Sequence, residues 1–367
     1  MLIWLLHHFG RLLERLEPHA AGESRVFLTT RTALASLTAF LIAILLGPLA
    51  ISWLKARFRE RIASDSARLN EIQAGKTATP TMGGLFILGA VVVSVSLWGD
   101  LSSRYVQLGL LVAIGLGALG AVDDWIKLKG RRNGISVRQK LLGQIVISFL
   151  AGWGLYEHHH LHAQGLDLIF PIGGASVSLG LGFIAWSALV LVGASNAVNL
   201  TDGLDGLAAG CMVFAGSAFV ALTYLAGHKV MADYLHIPYF AGSGELAVVL
   251  GATVGAVLGF LWFNCHPAQV FMGDTGSLPL GGLLGLAALV TRQELLLVII
   301  GGIFVIETLS VILQVGWFRY RRTRLLACSP LHNHFLFRGE HETKIVVRFW
   351  IGAALLAIIG IASLKIR

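Results

Sequence analysis

Four separate strings between the long apolar segments of this sequence carry carboxylates, amides or imidazoles. The residues are Asp123 and Asp124 in GAVDDWIKLKG, Asp202 and Asp205 in NAVNLTDGLDG, Asn264 and Asp274 in WFNCHPAQVFMGDTGS, and His332 and His334 in SPLHNHF. A fifth string, GKTATPTMGG, adds Lys76. Carboxylate oxygens are hard ligands that suit Mg²⁺ bound together with substrate phosphates, and lysines neutralise phosphate charge. These residue types predict Mg²⁺-dependent transfer of a phosphoryl-linked group.

The aspartates also have structural explanations. Asp202 and Asp274 each stand just before an apolar run, where an aspartate is a good helix N-cap. Asp123 and Asp124 instead end an apolar run, where carboxylates oppose the helix macrodipole and repel each other. Function is therefore favoured for this adjacent pair, whereas capping stays open for the other two.

Other polar positions are ambiguous for different reasons. Gly203 suits either a plain turn or a close approach of ligand to backbone N–H groups. Phe271 is by default a packing aromatic, and loop histidines are often incidental. Glu307, in FVIETLSV, falls within an apolar run, where an ionisable group is costly and usually has a partner.

The composition places these residues in a membrane protein. Hydrophobic residues make up 56% of the 367 residues and charged residues 13%, with a mean hydropathy of +0.75. A soluble domain has about 25% charged residues, so a soluble enzyme, a nucleic-acid binder and a disordered scaffold are disfavoured. Three widely spaced cysteines without a CxxC pair indicate neither a disulfide framework nor a zinc site.

Apolar runs of about 20 residues predict transmembrane helices. We expect an all-α polytopic membrane protein of one domain, residues 1–367, in which residues 1–25 form an amphipathic segment on the membrane surface. The ten predicted spans are 30–54, 82–98, 105–122, 140–156, 179–198, 207–226, 245–263, 278–291, 296–315 and 346–364. The 44 glycines are typical of helices that pack closely in lipid.

The positive-inside rule predicts the orientation. Six basic residues lie in each of the loops between spans one and two, three and four, and nine and ten. These three loops are predicted to be cytoplasmic, which places both termini in the periplasm. All of the strings named above then meet at the cytoplasmic face, where we expect the active site.

Most of the chain resembles a known enzyme family. The strings that carry the resemblance are KTATPTMGG, GAVDDWIKLKGRRNGIS, NAVNLTDGLDGLA, FLWFNCHPAQVFMGDTGSL, RQELLLVIIGGIFVIETLSVILQVGWF and VVRFWIGAALLAIIGIASLKIR. They are similar to phospho-N-acetylmuramoyl-pentapeptide transferases, within the polyprenyl-phosphate N-acetylhexosamine-1-phosphate transferase superfamily. The resemblance implies transfer of phospho-MurNAc-pentapeptide from its UDP carrier to undecaprenyl phosphate, giving lipid I and UMP. It also implies Mg²⁺, a homodimer and the bacterial inner membrane, with no nucleic-acid partner.

The resemblance also implies residue roles. Asp274 would be the principal Mg²⁺ ligand, and Asp124 would help to place the metal or phosphate. Asp123 would deprotonate the lipid phosphate; an aspartate acting as a covalent nucleophile is the open alternative. His332 would be a further catalytic residue. The implied substrate-binding residues are Lys76, Lys127 and Lys140 at the diphosphate, and Asn199, Asp202, Gly203, Leu204, Asp205, Asn264, Phe271 and His334, with Phe271 stacking on uracil.

One string departs from the family pattern. The family usually carries three consecutive histidines in the last cytoplasmic loop, with a glutamate two residues after them. Here Asn333 takes the middle position and Leu336 the glutamate position.

Two alternative functions stay open: a sister enzyme that transfers GlcNAc-1-phosphate or a related sugar, and a transporter. A transporter would place ionisable groups near the midplane of the bilayer, whereas only Glu307 lies there.

Overall fold

The computed structural model describes residues 27–57, 68, 76, 79–129, 134–171 and 173–366. The amphipathic segment predicted for residues 1–25 lies outside the described residues. Most of the described chain is helical, and a short antiparallel hairpin pairs β1 (Asp167–Ile169) with β2 (Ser176–Ser178). The all-α prediction is confirmed.

Thirteen α-helices follow one another along the described chain. They are α1 (Leu28–Arg57), α2 (Gly84–Trp98), α3 (Arg104–Leu128), α4 (Val137–His159), α5 (Gly182–Thr201), α6 (Leu207–Ala226), α7 (Lys229–Leu235), α8 (Gly244–Asn264), α9 (Asp274–Thr291), α10 (Glu294–Ile300), α11 (Gly302–Arg321), α12 (Leu331–Phe337) and α13 (Glu342–Ser363). A 3₁₀ turn, Leu364–Ile366, follows α13.

Eight helices of the described chain are long and apolar enough to cross a membrane: α1, α3, α5, α6, α8, α9, α11 and α13. The prediction of a polytopic membrane protein is therefore confirmed. The two remaining predicted spans fall on α2, which has 15 residues, and on α4. The total of ten spans and their orientation stay predictions.

Helix α9 lies at the centre of the helical bundle. All residues of its apolar 18-residue stretch are buried, and 83% of the residues in the corresponding stretch of α8 are buried. In α1, α11 and α13, which lie around them, most residues of the apolar stretch are not buried. Small residues allow the close packing that lipid-embedded helices need. At Gly255 of α8, for example, an added Cβ would lie 1.9 Å from the carbonyl oxygen of Ser36 in α1.

The structure differs from the sequence prediction around the ninth span. The span predicted as 296–315 is two helices, α10 and α11, separated at Gly301. Two consecutive glycines weaken the helix there, and a Cβ at Gly302 would lie 2.9 Å from Leu356 of α13. The segment after α11, predicted as a loop, contains the short helix α12.

Candidate active site

Three carboxylates form the heart of the site. Asp123 and Asp124 lie in the last turns of α3, and Asp274 is the first residue of α9. All three are buried, and each contributes an oxygen within 4.8 Å of the other two. We refer to Asp123, Asp124 and Asp274 as the acid cluster.

Asp124 fixes the beginning of α9. Its Oδ2 accepts hydrogen bonds from the Thr275 backbone N–H at 2.9 Å and the Thr275 hydroxyl at 2.7 Å. Its Oδ1 accepts the Asp274 N–H at 3.2 Å. Gly273, with φ +70°, makes this approach possible, because a Cβ there would lie 2.5 Å from Asp124 Oδ2. A residue of α3 therefore satisfies N–H groups that a helix leaves unpaired at its start.

N-capping does not explain Asp274 or Asp202. The N-cap position of α9 is Gly273, and Asp274 is already helical. Asp202 occupies the C-terminal cap of α5, and Gly206 precedes α6. The capping interpretation is wrong for both, because Asp274 lies one residue past the N-cap of α9, whereas Asp202 lies four residues ahead of the N-cap of α6.

The Asp274 carboxylate faces cationic and amide side chains. Its Oδ2 accepts from Lys140 Nζ at 2.5 Å and from Lys127 Nζ at 3.0 Å. Its Oδ1 accepts from Asn199 Nδ2 at 2.7 Å, and the same amide donates to Ser277. The predicted diphosphate contacts Lys127 and Lys140 thus converge on the predicted principal metal ligand.

Asp123 is held by a neighbouring turn. Its Oδ1 accepts the Ile135 N–H at 2.8 Å, and its Oδ2 lies 2.7 Å from Lys127 Nζ. Gly134, with φ +89°, leaves room for this carboxylate, since a Cβ there would lie 2.4 Å from Asp123 Oδ1. Three carboxylates consequently share two lysines, which leaves the acid cluster with a surplus of negative charge.

A second polar group surrounds Lys76. Its Nζ lies 2.6 Å from both Asp205 Oδ1 and Glu342 Oε1. His266 Nδ1 lies 3.1 Å from Asp205 Oδ2, which also accepts the Ala268 N–H at 3.1 Å. We refer to Lys76, Asp205, His266 and Glu342 as the Lys76 cluster. Its Asp205, His266 and Glu342 also provide ligand atoms within 4.8 Å of one another, and Lys76 Nζ already lies against both carboxylates.

The predicted residues Asn264 and Phe271 help to build the walls of the site. Asn264 Oδ1 accepts the Gly206 N–H, and its Nδ2 donates to the Val270 carbonyl. The Phe271 backbone pairs with the segment ahead of α2, donating to Pro80 and accepting from Gly83. Its ring is half-buried. These bonds hold the segment 264–273 between the two clusters.

The chain between Asn199 and Asp205 joins the two clusters. Asn199 contacts Asp274 in the acid cluster, and Asp205 belongs to the Lys76 cluster. Asp202, Gly203 and Leu204 lie between them, with Leu204 buried. The predicted nucleotide-side residues therefore follow one continuous edge of the site.

The two histidines of α12 have different surroundings. His332 is buried, and its Nδ1 lies 3.1 Å from Glu307 Oε2. His334 Nδ1 accepts the Ala327 N–H, and this hydrogen bond holds the loop ahead of α12 and involves neither cluster. Partial desolvation and, secondarily, the Arg338 guanidinium lower the pKa of His334, which suits an acceptor nitrogen.

An apolar cavity of about 220 Å³ lies between α5, α9, α10 and α11. Its lining includes Trp186, Ala197, Val198, Leu284 and Phe304. Ala197 and Val198 stand immediately before Asn199, whose amide donates to Asp274. One end of an apolar space therefore adjoins the acid cluster.

Sequence reasoning missed several contributors to the site. Thr275 lies in the same string as Asp274, and its position directly after that aspartate could have indicated that it belongs to the site. His266 and Glu342 gave none, since each is an ordinary polar residue whose partner Asp205 lies 61 or 137 positions away. The sequence predicts that Glu307 has a partner, and the structure shows that this partner is His332.

The comparisons with known proteins first define the class. The sequence model of glycosyl transferase family 4 matches residues 106–292, from α3 to the end of α9. The matched region contains the whole acid cluster. Fold and match together define a polytopic membrane transferase.

Full-length relatives narrow the class. The phospho-N-acetylmuramoyl-pentapeptide-transferase of Nitratidesulfovibrio vulgaris strain DP4 is 48% identical over 345 residues, covering 93% of this chain and 94% of the relative. The enzyme of the same name from Solidesulfovibrio magneticus is 48% identical over 344 residues, with 93% and 94% covered. That of Koribacter versatilis is 43% identical over 387 residues and covers both chains completely. The chain belongs to the phospho-N-acetylmuramoyl-pentapeptide-transferase family, and the resemblance found in the sequence is confirmed.

Proposed function

We propose that this transferase moves phospho-MurNAc-pentapeptide from UDP-MurNAc-pentapeptide to undecaprenyl phosphate, releasing UMP and forming lipid I. The observation that carries the proposal is the acid cluster, with its two lysines, at one end of an apolar cavity. Charged groups for a diphosphate and an apolar wall for a lipid chain lie next to each other there. Family membership supports the particular sugar and lipid.

The acid cluster fits a divalent cation. Its three buried carboxylates are hard oxygen donors within 4.8 Å of one another, and they outnumber the lysines that neutralise them. Oxygen ligands of this type suit Mg²⁺, which usually binds through one or two carboxylates and substrate phosphates. Asp274 and Asp124 would hold the ion, which when bound would neutralise charge on the diphosphate.

The side chains around the cluster divide the work of transfer. Lys127 and Lys140, now on Asp274, would turn to the diphosphate oxygens when the nucleotide enters. Asp123 would accept the proton of the lipid phosphate, whose oxygen then attacks the sugar-linked phosphorus. The phosphorus–oxygen bond to UMP breaks as the new bond forms. Asp124 would keep the start of α9, and hence Asp274, in place.

The nucleoside would lie on the Lys76 side of the site. Asp205 offers carboxylate oxygens and Lys76 an ammonium group, while the half-buried Phe271 ring offers a stacking face for uracil. Asp202, Gly203 and Leu204 would line the path from this pocket to the acid cluster. His334 would contact substrate only at the rim, because its Nδ1 is engaged with Ala327.

The lipid phosphate would reach the acid cluster from the apolar cavity beside α5. A polyprenyl chain needs an uncharged wall, and the cavity lining from Trp186 to Phe304 is predominantly apolar. Because Ala197 and Val198 lead directly to Asn199, a phosphate at that end of the chain would arrive next to Asp274.

The proposal also includes the topology, the location and the assembly: ten spans with a cytoplasmic site and periplasmic termini, the bacterial inner membrane, and a homodimer. Orientation is testable by cysteine labelling in a variant whose native cysteines are replaced by serine. An impermeant maleimide applied to spheroplasts should label Leu161→Cys, an exposed position, and should label Arg322→Cys only after lysis. Labelling of Arg322→Cys from outside would reverse the orientation and overturn the cytoplasmic site.

The function itself is testable with purified protein in detergent. Undecaprenyl phosphate and UDP-MurNAc-pentapeptide should yield UMP and lipid I with Mg²⁺ and neither without it. UDP-GlcNAc, supplied in a parallel reaction, should yield no UMP. Turnover of UDP-GlcNAc in preference to the MurNAc nucleotide would assign the chain to the sister reaction instead.

A further inference from the structure

We propose that Glu307 is a positioning residue that holds the His332 imidazole with its Nε2–H directed at the leaving phosphate of the nucleotide. The inference rests on the proposed function and extends it to a residue outside the two clusters. Glu307 lies in α11, and His332 in α12. The observation is a buried carboxylate–imidazole pair between a membrane helix and the edge of the site.

The contacts of Glu307 fix both the backbone and the ring of His332. Glu307 Oε1 accepts the His332 backbone N–H at 3.1 Å, and Oε2 lies 3.1 Å from His332 Nδ1. The two residues are 0% and 1% exposed. A carboxylate that binds Nδ1–H selects the ring orientation and leaves Nε2 pointing away from it.

The free ring nitrogen faces the chain that joins the two clusters. His332 Nε2 has no hydrogen-bond partner among the described residues, although it is buried. A Cβ built on Gly203 would lie 2.3 Å from that nitrogen. Buried polar atoms without a partner are rare in folded proteins. Nε2 therefore lies against the backbone between Asn199 and Asp205, where a nucleotide spanning both clusters would place its diphosphate.

Both ring nitrogens of His332 are donors in the proposed arrangement. A carboxylate buried within an apolar segment is costly unless it has a partner, and the partner of the Glu307 carboxylate in the described chain is His332. An imidazolium donates from both nitrogens, so Nδ1–H can serve Glu307 while Nε2–H serves a phosphate oxygen. Negative charge grows on the UMP phosphate as its bond to the transferred group breaks, and a fixed donor stabilises it.

Other ionisable groups near the pair are few in the described chain. From α6, the Cys211 thiol lies within electrostatic range of Glu307. On the joining segment, Asp202 adjoins Gly203, and on α12 the next ionisable side chain is His334. None of these replaces the Glu307 carboxylate at His332 Nδ1.

The test is a double-mutant cycle of Glu307→Gln and His332→Ala. Glutamine keeps the size of Glu307 and can still accept Nδ1–H, but it removes the charge. Loss of a partner that orients a functional histidine costs about 10- to 100-fold, so Glu307→Gln should lower kcat by that factor with little change in the KM for UDP-MurNAc-pentapeptide.

Two further variants separate positioning from folding. Gly203→Ala leaves α11 untouched but places a methyl group against Nε2, and it should also lower kcat. Neither Glu307→Gln nor Gly203→Ala should lower turnover further once His332→Ala is present. Glu157→Gln, the same substitution at an exposed residue of α4, is the matched control and should retain normal turnover.

Wild-type kcat in Glu307→Gln would overturn the inference, as would a full additional loss in the His332→Ala background. If Glu307→Gln does not fold, Gly203→Ala with and without His332→Ala decides by the same criterion. Failure of the wild-type protein to make lipid I would instead overturn the proposed function. The cycle can then be measured with whichever nucleotide sugar the protein turns over.

Discussion

The acid cluster and the Lys76 cluster are both built from carboxylates and lysine, yet their surroundings differ. In the acid cluster, backbone N–H groups bond to Asp123 and Asp124, whereas the Asp274 carboxylate accepts from the side chains of Lys127, Lys140 and Asn199. In the Lys76 cluster, backbone N–H groups bond to both carboxylates. Asp205 accepts the Ala268 N–H, and Glu342 accepts the Asp205 N–H at 2.8 Å.

This difference teaches which carboxylate can change partners. Side chains such as Lys127 and Lys140 can rotate from a carboxylate to a phosphate, whereas backbone donors are fixed by the fold. The acid cluster also offers three buried carboxylates, which suit a cation, whereas Asp205 is the one buried carboxylate of the two in the Lys76 cluster. We therefore assign chemistry to the acid cluster and substrate binding to the Lys76 cluster. The following predictions, in decreasing order of effect, test that division.

The largest effect is expected for Asp274→Asn. The amide keeps the size of the side chain and an oxygen for Asn199, but it removes the charge that faces two lysines and a metal. Loss of one fixed electrostatic contact in an active site costs about 10²- to 10³-fold, and a lost ligand should place this variant at the upper end. The rate of UMP release by the purified variant, compared with the wild type, measures this loss of activity.

The Asp274→Asn variant should fold normally, because Asp124 rather than Asp274 satisfies the start of α9. An unchanged melting temperature would show that the variant is folded. Turnover near that of the wild type would show that the chemistry lies elsewhere.

Asp123→Asn should be the next most damaging change. Removal of a general base costs about 10²- to 10⁴-fold, and we expect the lower end because Lys127 and Lys140 remain. Nucleotide affinity should persist, since Asp123 acts on the lipid phosphate. Comparing kcat with UDP-MurNAc-pentapeptide binding tests the separation, and a parallel loss of binding would contradict it.

Lys76→Met should act on binding more than on chemistry. A hydrogen bond to a charged group is worth about 1.5–3 kcal/mol, which corresponds to roughly a tenfold or greater rise in the KM for the nucleotide. The kcat at saturating substrate should change little. Lys344→Met is the matched control, because that lysine is exposed and its Nζ lies 3.6 Å from Glu340 Oε2, outside both clusters. A collapse of kcat with unchanged KM would move Lys76 into the chemical step.

The smallest effect is expected for Asn333→His, which restores the usual family residue. Asn333 lies beside His332 in α12, and its Oδ1 is buried without a partner among the described residues. Because His332 already has its orienting contact with Glu307, turnover should change by less than about threefold, well within 1 kcal/mol. His332→Ala, assayed alongside, should lower turnover strongly. Equal and small effects of both changes would show that this histidine motif is not used.

Sequence reasoning located the helices and most of the acid cluster because both leave local signals. Apolar runs of sufficient length predict α1, α3 and α8, and the pair Asp123–Asp124 is conspicuous at the end of such a run. Contacts between distant segments leave no such signal. The support that Asp124 gives to α9, the Glu342 contact with Lys76 and the Glu307–His332 pair all depend on how the helices pack. The division of the ninth span at Gly301 depends on the close approach of α13. The two glycines permit this approach, but their presence in the sequence does not predict it.

The central claim, that the acid cluster is the divalent-cation site, is tested most directly by metal binding without turnover. Mn²⁺ can be titrated, in place of Mg²⁺, into the purified protein with UDP-MurNAc-pentapeptide present, and the bound ion measured by electron paramagnetic resonance. Wild-type protein and the matched control Asp167→Asn, on the β-hairpin, should bind one ion with the same affinity, and Asp274→Asn should lose it. Undiminished Mn²⁺ binding by a folded Asp274→Asn protein would contradict the account.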